Sequence, residues 1–530
     1  MRYLLLILPF LLYANEISLE FIKSKPAGIE RDFYIWEYLK SAKKGEKGVE
    51  EAYNLSQYKN GYTYKEYIKK TTNKQALEDD ICKGLRVSKL IDEDSECINI
   101  GLSYADMLDL TKNQKLDVAK KLETINPKKA EVLKFLASNN IRAFIKNYPN
   151  AFLYAFRGSS EGFRKKHLDI EFSKDELANL QDGYSLLTVI KIVTQNDYPN
   201  LQRAFLNAPI NNLDRPQSAF FLGLNALKLN DEKRAKEFWA KSKSISERSY
   251  NKNRADFWTY QIDKNTKHLE NICSRNHFDI YSLYAKESLG GDIKCYNILT
   301  SFPTKNTEAA HNIEDPFLWT KLKELSRDSN LAQSDLESLF TLSSLPHYAF
   351  LKRKIDNYKH EHFIMPYQDA FLQYEPNRSA LLYSIGKQES LFIPSAISMS
   401  FALGMMQIMP FNIEAIAKQR GESVELTDAF DYKLNLTYSN HLVENLVKRF
   451  KHPLFVAYAY NGGGGFTGRM LKGDIFKSGK YEPFMSIEMV PITETREYGK
   501  EVLANYVIYY GLLGKKTTLK EQLANLLEPR

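Results

Sequence analysis

The sequence predicts a nearly all-α protein. Glycine and proline are sparse, at 25 and 18 of 530 residues, long segments carry apolar residues at helical spacing, and no run alternates as a half-buried strand would. A chain of 530 residues exceeds what one hydrophobic core organises, so several domains are expected. Apolar content of 43% and charged content of 26% are those of an ordinary globular protein. The net charge of +8 suits an acidic polymer or surface, but no polybasic stripe singles out nucleic acid, which is not expected as a partner. The 33 tyrosines either stack on sugars or fill helical cores.

The N-terminal stretch MRYLLLILPFLLYANEIS reads as a secretion signal. Arg2 supplies the positive start, residues 3–12 the apolar run, and Tyr13-Ala14 the cleavage site, which gives a signal peptide over 1–14. The apolar run is too short to span a bilayer, and nothing later reaches ~18 consecutive apolar residues, so no stable membrane insertion is expected. The segment has no cysteine, which argues against a lipid anchor. Export is expected. Cys82 and Cys97 are neighbours in sequence, as are Cys273 and Cys295. Neither pair forms a CxxC or completes a zinc set. Two local disulfides, made in an oxidising compartment, are the first reading, and four buried thiols the other.

Residues 15–280 are expected to form an α-superhelix of stacked helix pairs. EEAYNLSQYKNGYTYKEYIKKT shows the helical period. The stretch 217–247 places Ala219, Leu222, Leu224 and Ala226 before an Asn-Asp turn, then Ala235, Phe238 and Trp239, as a helix–turn–helix unit would. Residues 281–365 are read as a small linker module. Glycine usage then changes, with twelve in residues 1–365 and thirteen in 366–530. Concentrated glycine marks close backbone approaches, where sites are built, so 366–530 is expected to be the functional domain. His360 and His362, in the charged stretch before that boundary, read as a solvated linker rather than a metal site.

Within LLYSIGKQES, Leu382, Ile385 and Glu389 recur at i, i+3 and i+7 and share one helix face. A carboxyl on a buried face has its pKa raised and can serve as a general acid. The other reading is a helix-end glutamate paired with Lys387 or solvated. Glu287-Ser288 repeats the dipeptide with no constellation after it.

Ser398 follows nine residues beyond Glu389, then Gly404-Met405-Met406-Gln407-Ile408-Met409-Pro410, Ala457-Tyr458-Ala459-Tyr460-Asn461-Gly462-Gly463, and Pro491-Ile492-Thr493-Glu494-Thr495-Arg496-Glu497-Tyr498. These blocks, in this order, resemble the catalytic domain of the soluble lytic transglycosylases, which has a goose-type lysozyme fold. The resemblance covers roughly residues 370–515. The signal peptide and helical region ahead of it are similar to those of the large periplasmic members. The fold it implies is an α-superhelical solenoid, a linker module and a lysozyme-like catalytic domain.

The resemblance implies that Glu389 is the single catalytic glutamate and that Ser398 helps orient the N-acetyl group of the sugar. It assigns Gln407 and Met409 to the cleft lining with Met406 behind them, Tyr460 and Asn461 to the vicinity of the catalytic carboxyl, and Glu494 to substrate contact. Arg496 and Tyr498 complete the last block. The implied activity is non-hydrolytic cleavage of peptidoglycan glycan strands by a monomer, without metal or cofactor. Glu389 would protonate the glycosidic oxygen, the substrate's acetamido carbonyl would stabilise C1, and Glu389 would then take the C6 hydroxyl proton. The alternatives are a hydrolytic muramidase, which needs a second carboxylate among Glu414, Asp428, Asp431 and Glu494, and a non-catalytic murein-binding scaffold. Two departures stand out. Ser400-Phe401-Ala402 occupies the place of the family's usual Gly-Ala, where Phe401 is expected to narrow or reshape the loop. Gly462 replaces an alanine, and Gly463–Gly465 either approach the glycan or make a turn; the run lacks the ending of a phosphate loop.

Overall fold

The structure, a computed structural model, describes residues 17–179, 186–195, 197–291, 293–302, 312–325, 327 and 340–527. The expected signal peptide lies outside the described residues. Several of the prolines open helices rather than break them. Pro216, Pro376, Pro410 and Pro453 each stand in a first turn, where the missing N–H would have had no partner. Asn and Asp cap others, as Asn60 does for Gly61–Lys70 and Asp231 for Glu232–Ser244.

The expected helix–turn–helix unit is present as Pro216–Lys228 and Glu232–Ser244. Asn230 takes the left-handed conformation between them, with φ of 62°. The indole N–H of Trp239 donates to the Phe220 carbonyl at 3.1 Å across the pair. Only a glycine allows this approach, because a Cβ at Gly223 would lie 2.2 Å from the indole nitrogen. Similar short helices succeed one another from Leu19 to Leu289, and the helix Ile280–Leu289 spans the expected division at 280. The cysteines pair as Cys82–Cys97 and Cys273–Cys295.

Among the described residues the strands are Ile298–Leu299 and Glu361–His362, paired in parallel. This overturns the solvated-linker reading of the second. His362 is buried, with Nδ1 3.0 Å from the Ala349 carbonyl, and Glu361 pairs with Lys387 at 2.7 Å and Arg353 at 3.1 Å. Against the cost of burial, Lys387 and Arg353 hold Glu361 below the usual carboxylate range. The segment looked soluble because its charges are many; they are spent on each other. Among the described residues no group of three metal-ligating side chains gathers, and no helix is long and apolar enough to cross a membrane.

The helical array begins and ends against the same C-terminal region, so the chain closes on itself. At the start, Phe33 and Trp36 of Ile29–Ser41 pack on Phe401 at ring distances of 5.8 and 5.2 Å, and Lys40 lies 3.9 Å from Glu414. At the end, Phe257 meets Phe484 at 4.3 Å and the Arg496 guanidinium lies 4.6 Å from the Phe221 ring. A buried polar cluster joins the two sides there. Lys500 and Glu488, 2% and 0% exposed, pair at 3.2 Å, with Tyr281 donating to Glu488 and Tyr250 to Glu497. Burial alone would push Glu497 up; Lys500, Arg496 and Arg254 outweigh it and hold it well below the usual range.

Removing one partner of such a pair leaves an uncompensated buried charge, which typically costs about 3–5 kcal/mol. Lys500→Met should therefore lower the denaturant midpoint of the first unfolding transition, with a loss of unfolding free energy in that range. A midpoint equal to the parent's would mean that the cluster adds nothing to closure.

Candidate active site

Glu389 sits in the last turn of the helix Pro376–Ser390. Leu382 and Ile385, on the same face, are fully buried, as the spacing predicts. Leu391 and Phe392 then take left-handed conformations, with φ of 56° and 66°, which ends the helix. Phe392 is buried beside Phe371, Tyr383 and Tyr509, and this anchors the turn. Glu389 is half-buried, keeping one face toward the cavity. Lys387 is committed to Glu361, so the reading of Glu389 as a Lys387 partner fails.

The hydrogen bond to the Glu389 carboxyl comes from the Tyr498 hydroxyl, at 2.8 Å to Oε1. Burial pushes the carboxyl up to about 8; the Tyr498 bond opposes the rise and the negative Glu494 adds to it. At neutral pH the group is mostly a neutral acid. A cavity of about 640 Å³ opens beside it, lined by Gln388 to Leu391 and Glu497 and, from the helical array, by Tyr250 and Phe278.

The loop after the helix carries the next block. Ser390 Oγ donates to the Met405 carbonyl at 2.7 Å, tying the Glu-Ser dipeptide to the Gly404–Pro410 segment. Ser398 Oγ accepts the N–H groups of Ala402 at 3.0 Å and Ser400 at 3.3 Å. Both bonds use oxygen lone pairs, which leaves the hydroxyl proton for an outside acceptor such as a carbonyl oxygen. Gln407 has φ of 51°, and its side-chain amide donates to the carbonyls of Ala396 at 3.1 Å and Gly404 at 2.8 Å. Its nitrogen thus braces the loop. Met409 is half-buried beside it, and Met406 is fully buried behind. Tyr460 donates to the Met406 carbonyl at 2.7 Å.

Asn461 bridges the last two blocks. Its Nδ2 donates to Glu494 at 3.1 Å, and its Oδ1 accepts from Thr495 Oγ1 at 2.7 Å. Glu494 is exposed. The other carboxylates are occupied elsewhere: Asp428 accepts the Glu425 N–H, Asp431 caps Tyr432–Phe450, and Glu414 is exposed near Lys40. Glu287 accepts the N–H groups of Leu519 and Lys520, a structural use of the second Glu-Ser dipeptide.

Residues 368–482 match the family described as the transglycosylase SLT domain. In that segment the chain is similar to the soluble lytic transglycosylases. It is 27% identical over 180 residues to the soluble lytic murein transglycosylase of Salmonella typhimurium and 28% identical over 178 residues to that of Escherichia coli. Each match spans 32% of this chain and 27% of the relative. In fold, the 70 kDa soluble lytic transglycosylase of Escherichia coli superposes with a TM-score of 0.50 at 16% identity, over 94% of this chain and 84% of that one. A complex of the 70-kDa soluble lytic transglycosylase with bulgecin A gives 0.51 at 16% identity, over 94% and 89%. The family segment contains Glu389, Ser398, Met406, Gln407, Met409, Tyr460 and Asn461, whereas Glu494 and Tyr498 lie beyond it.

Both departures from the soluble lytic transglycosylase pattern have structural reasons. Gly463, with φ of 89°, turns the chain between Pro453–Gly462 and Gly464–Leu471, so the glycine run makes a turn. A Cβ at Gly462 would lie 2.7 Å from Thr495 Oγ1, the hydroxyl that holds Asn461. Phe401 turns away from the loop and is buried against the N-terminal helices. Sequence reasoning missed Asn435. This buried side chain accepts the Met406 N–H at 2.8 Å and donates to the carbonyls of Leu403 at 3.1 Å and Ala429 at 2.9 Å. Nothing in its helical stretch marks it, except that an amide on a core-facing position needs partners.

Carboxyl titration followed by carbon NMR should find Glu389 changing charge near pH 8. Tyr498→Phe should move that midpoint higher, because the lost phenol bond favours the carboxylate. A midpoint in the ordinary range of about 4 in the parent protein would refute the dry-acid geometry.

Proposed function

We propose that this chain is a peptidoglycan lytic transglycosylase of the periplasm, cutting the β-1,4 bond between N-acetylmuramic acid and N-acetylglucosamine to leave 1,6-anhydro ends. The observation that carries the reading is the half-buried Glu389 carboxyl, pushed up to about 8 and hydrogen-bonded by Tyr498. Among the described residues Glu361, Glu497 and Glu501 also line its cavity, the first two held in ion pairs with Lys387 and Lys500. A signal-like leader, two disulfides and the named relatives support the location and the substrate. The relatives match over about a quarter of their own length, so the activity of the whole chain is an inference from its site.

Protonated Glu389 gives its proton to the glycosidic oxygen as the bond to C1 breaks. The substrate's acetamido carbonyl covers C1, held by the free hydroxyl proton of Ser398. Carboxylate Glu389, still hydrogen-bonded to Tyr498, then accepts the proton of the C6 hydroxyl as that oxygen closes on C1. The enzyme ends as it began, and no water is consumed. Met406, Gln407, Met409, Tyr460 and Asn461 form the glycan-binding wall, and Glu494 contacts the sugar at its rim. Residues 15–280 serve as the superhelical domain, 281–365 as the linker module and 366–530 as the catalytic domain, in a monomer that acts on glycan strands.

Glu389→Gln should bind glycan but lose about 10²–10⁴-fold in turnover, since the amide cannot supply a proton. Turnover within a few-fold of the parent would overturn the assignment. In the parent, kcat/KM on peptidoglycan should fall as pH rises through about 8, where Glu389 gives up its proton. A profile that instead rises through that range would mean that the carboxylate, not the acid, starts the reaction.

A further inference from the structure

The loop that carries Ser398 is held from outside its own domain. Its turn is closed by the Phe401 N–H donating to the Ser398 carbonyl at 2.9 Å and the Ser398 N–H to the Ala402 carbonyl at 3.0 Å. Within it Phe401 takes φ of 59°, a conformation that glycine adopts freely and an aromatic residue does not. The turn therefore needs support, and the burial of the Phe401 ring supplies it. That ring is fully buried, stacked on Trp36 at 5.2 Å and edge-on to Phe33 at 5.8 Å, with Tyr62 at 6.1 Å. These three come from Ile29–Ser41 and Gly61–Lys70, more than 330 residues away in sequence. Beside them, Asn60 Nδ2 donates to the Met399 carbonyl at 2.9 Å, in the same turn.

We propose that Trp36 and Asn60 are positioning residues for Ser398, acting through Phe401 and Met399, so that the start of the helical array completes the active site. The proposal rests on the reading of Ser398 as the group that orients the acetamido carbonyl. Phe401 is the hinge of the arrangement. Its ring reaches out of the loop to the N-terminal helices, while its left-handed backbone sets where Ser398 Oγ and its two amide donors lie. Replacing a small residue by phenylalanine here does not narrow the cleft; it makes the loop depend on the closed chain.

The test uses the full chain. Asn60→Asp keeps the oxygen that caps Gly61–Lys70 and removes the N–H that reaches Met399. Trp36→Leu keeps an apolar side chain and removes the stacked ring. Each should lower kcat on peptidoglycan about 3–10-fold with KM near the parent value, because the acetamido alignment matters only as C1 reacts. Each should also speed amide exchange at residues 398–402 and leave that of Tyr432–Phe450 unchanged. Adding Trp36→Leu to Phe401→Gly should cost nothing further, as expected of residues acting through one another. Ser398→Ala separates the two readings. If it lowers kcat while Asn60→Asp and Trp36→Leu keep parent kcat and parent exchange, the positioning is overturned and the role of Ser398 stands. If Ser398→Ala leaves kcat unchanged, the role of Ser398 is overturned, and exchange at 398–402 alone decides the positioning: faster supports it, unchanged overturns it. Should Trp36→Leu not fold, Asn60→Asp, a nearly isosteric change on a half-buried side chain, carries the decision.

Discussion

A carboxyl that is to act as an acid near neutral pH has to be surrounded by protein, yet still face its substrate. Water would return it to the ordinary range, and a nearby cation would pull it lower still. Around Glu389 both are avoided. The adjacent Lys387 is drawn off by Glu361, which is itself fixed by Arg353 and by a short strand pair. What reaches the carboxyl is the Tyr498 hydroxyl, which orients it without supplying charge. Much of the surrounding architecture follows from that requirement: a helix stopped abruptly at Leu391, an ion pair that holds Lys387 on Glu361 within the same cavity, and a cavity walled partly by the helical array.

The closed chain has two junctions with different chemistry. The junction near Glu488 and Lys500 is polar and buried, and its geometry is exacting, because each charge there is stable only while its partners stay in place. The junction near Phe401 is aromatic and tolerant in its packing, but it grips the Ser398 turn directly. The first keeps the array aligned with the helix that carries Tyr498, and the second keeps the opposite wall of the site in register. Through these junctions a long helical region bears on the walls of the site.

Much of this was legible in the chain itself, for identifiable reasons. Helical periodicity and the sparse glycine and proline revealed the all-α fold, and the apolar face of Leu382 and Ile385 pointed to a buried Glu389. The close spacing of the cysteines revealed both disulfides. What stayed hidden depends on contacts distant in sequence. Glu361 and His362 sat in a charged stretch that looked solvated, and only the partners Lys387, Arg353 and the Ala349 carbonyl explain their burial. Phe401 was expected to narrow or reshape its loop, since nothing near it in sequence announces Phe33 and Trp36. Asn435 carries no local signal, and its use appears only when the Leu403–Met406 backbone is laid against it.

The central claim is that Glu389 works alone, first as acid and then as base, with the sugar's own hydroxyl as acceptor. Digestion of purified peptidoglycan in water enriched in heavy oxygen, followed by mass spectrometry of the first products, tests it most directly. Muropeptides lighter by one water than hydrolysed ones are expected, with no heavy oxygen at C1 from the earliest turnovers. Predominantly hydrated reducing ends carrying the heavy label would contradict it, and would require a water held over C1 by a second group.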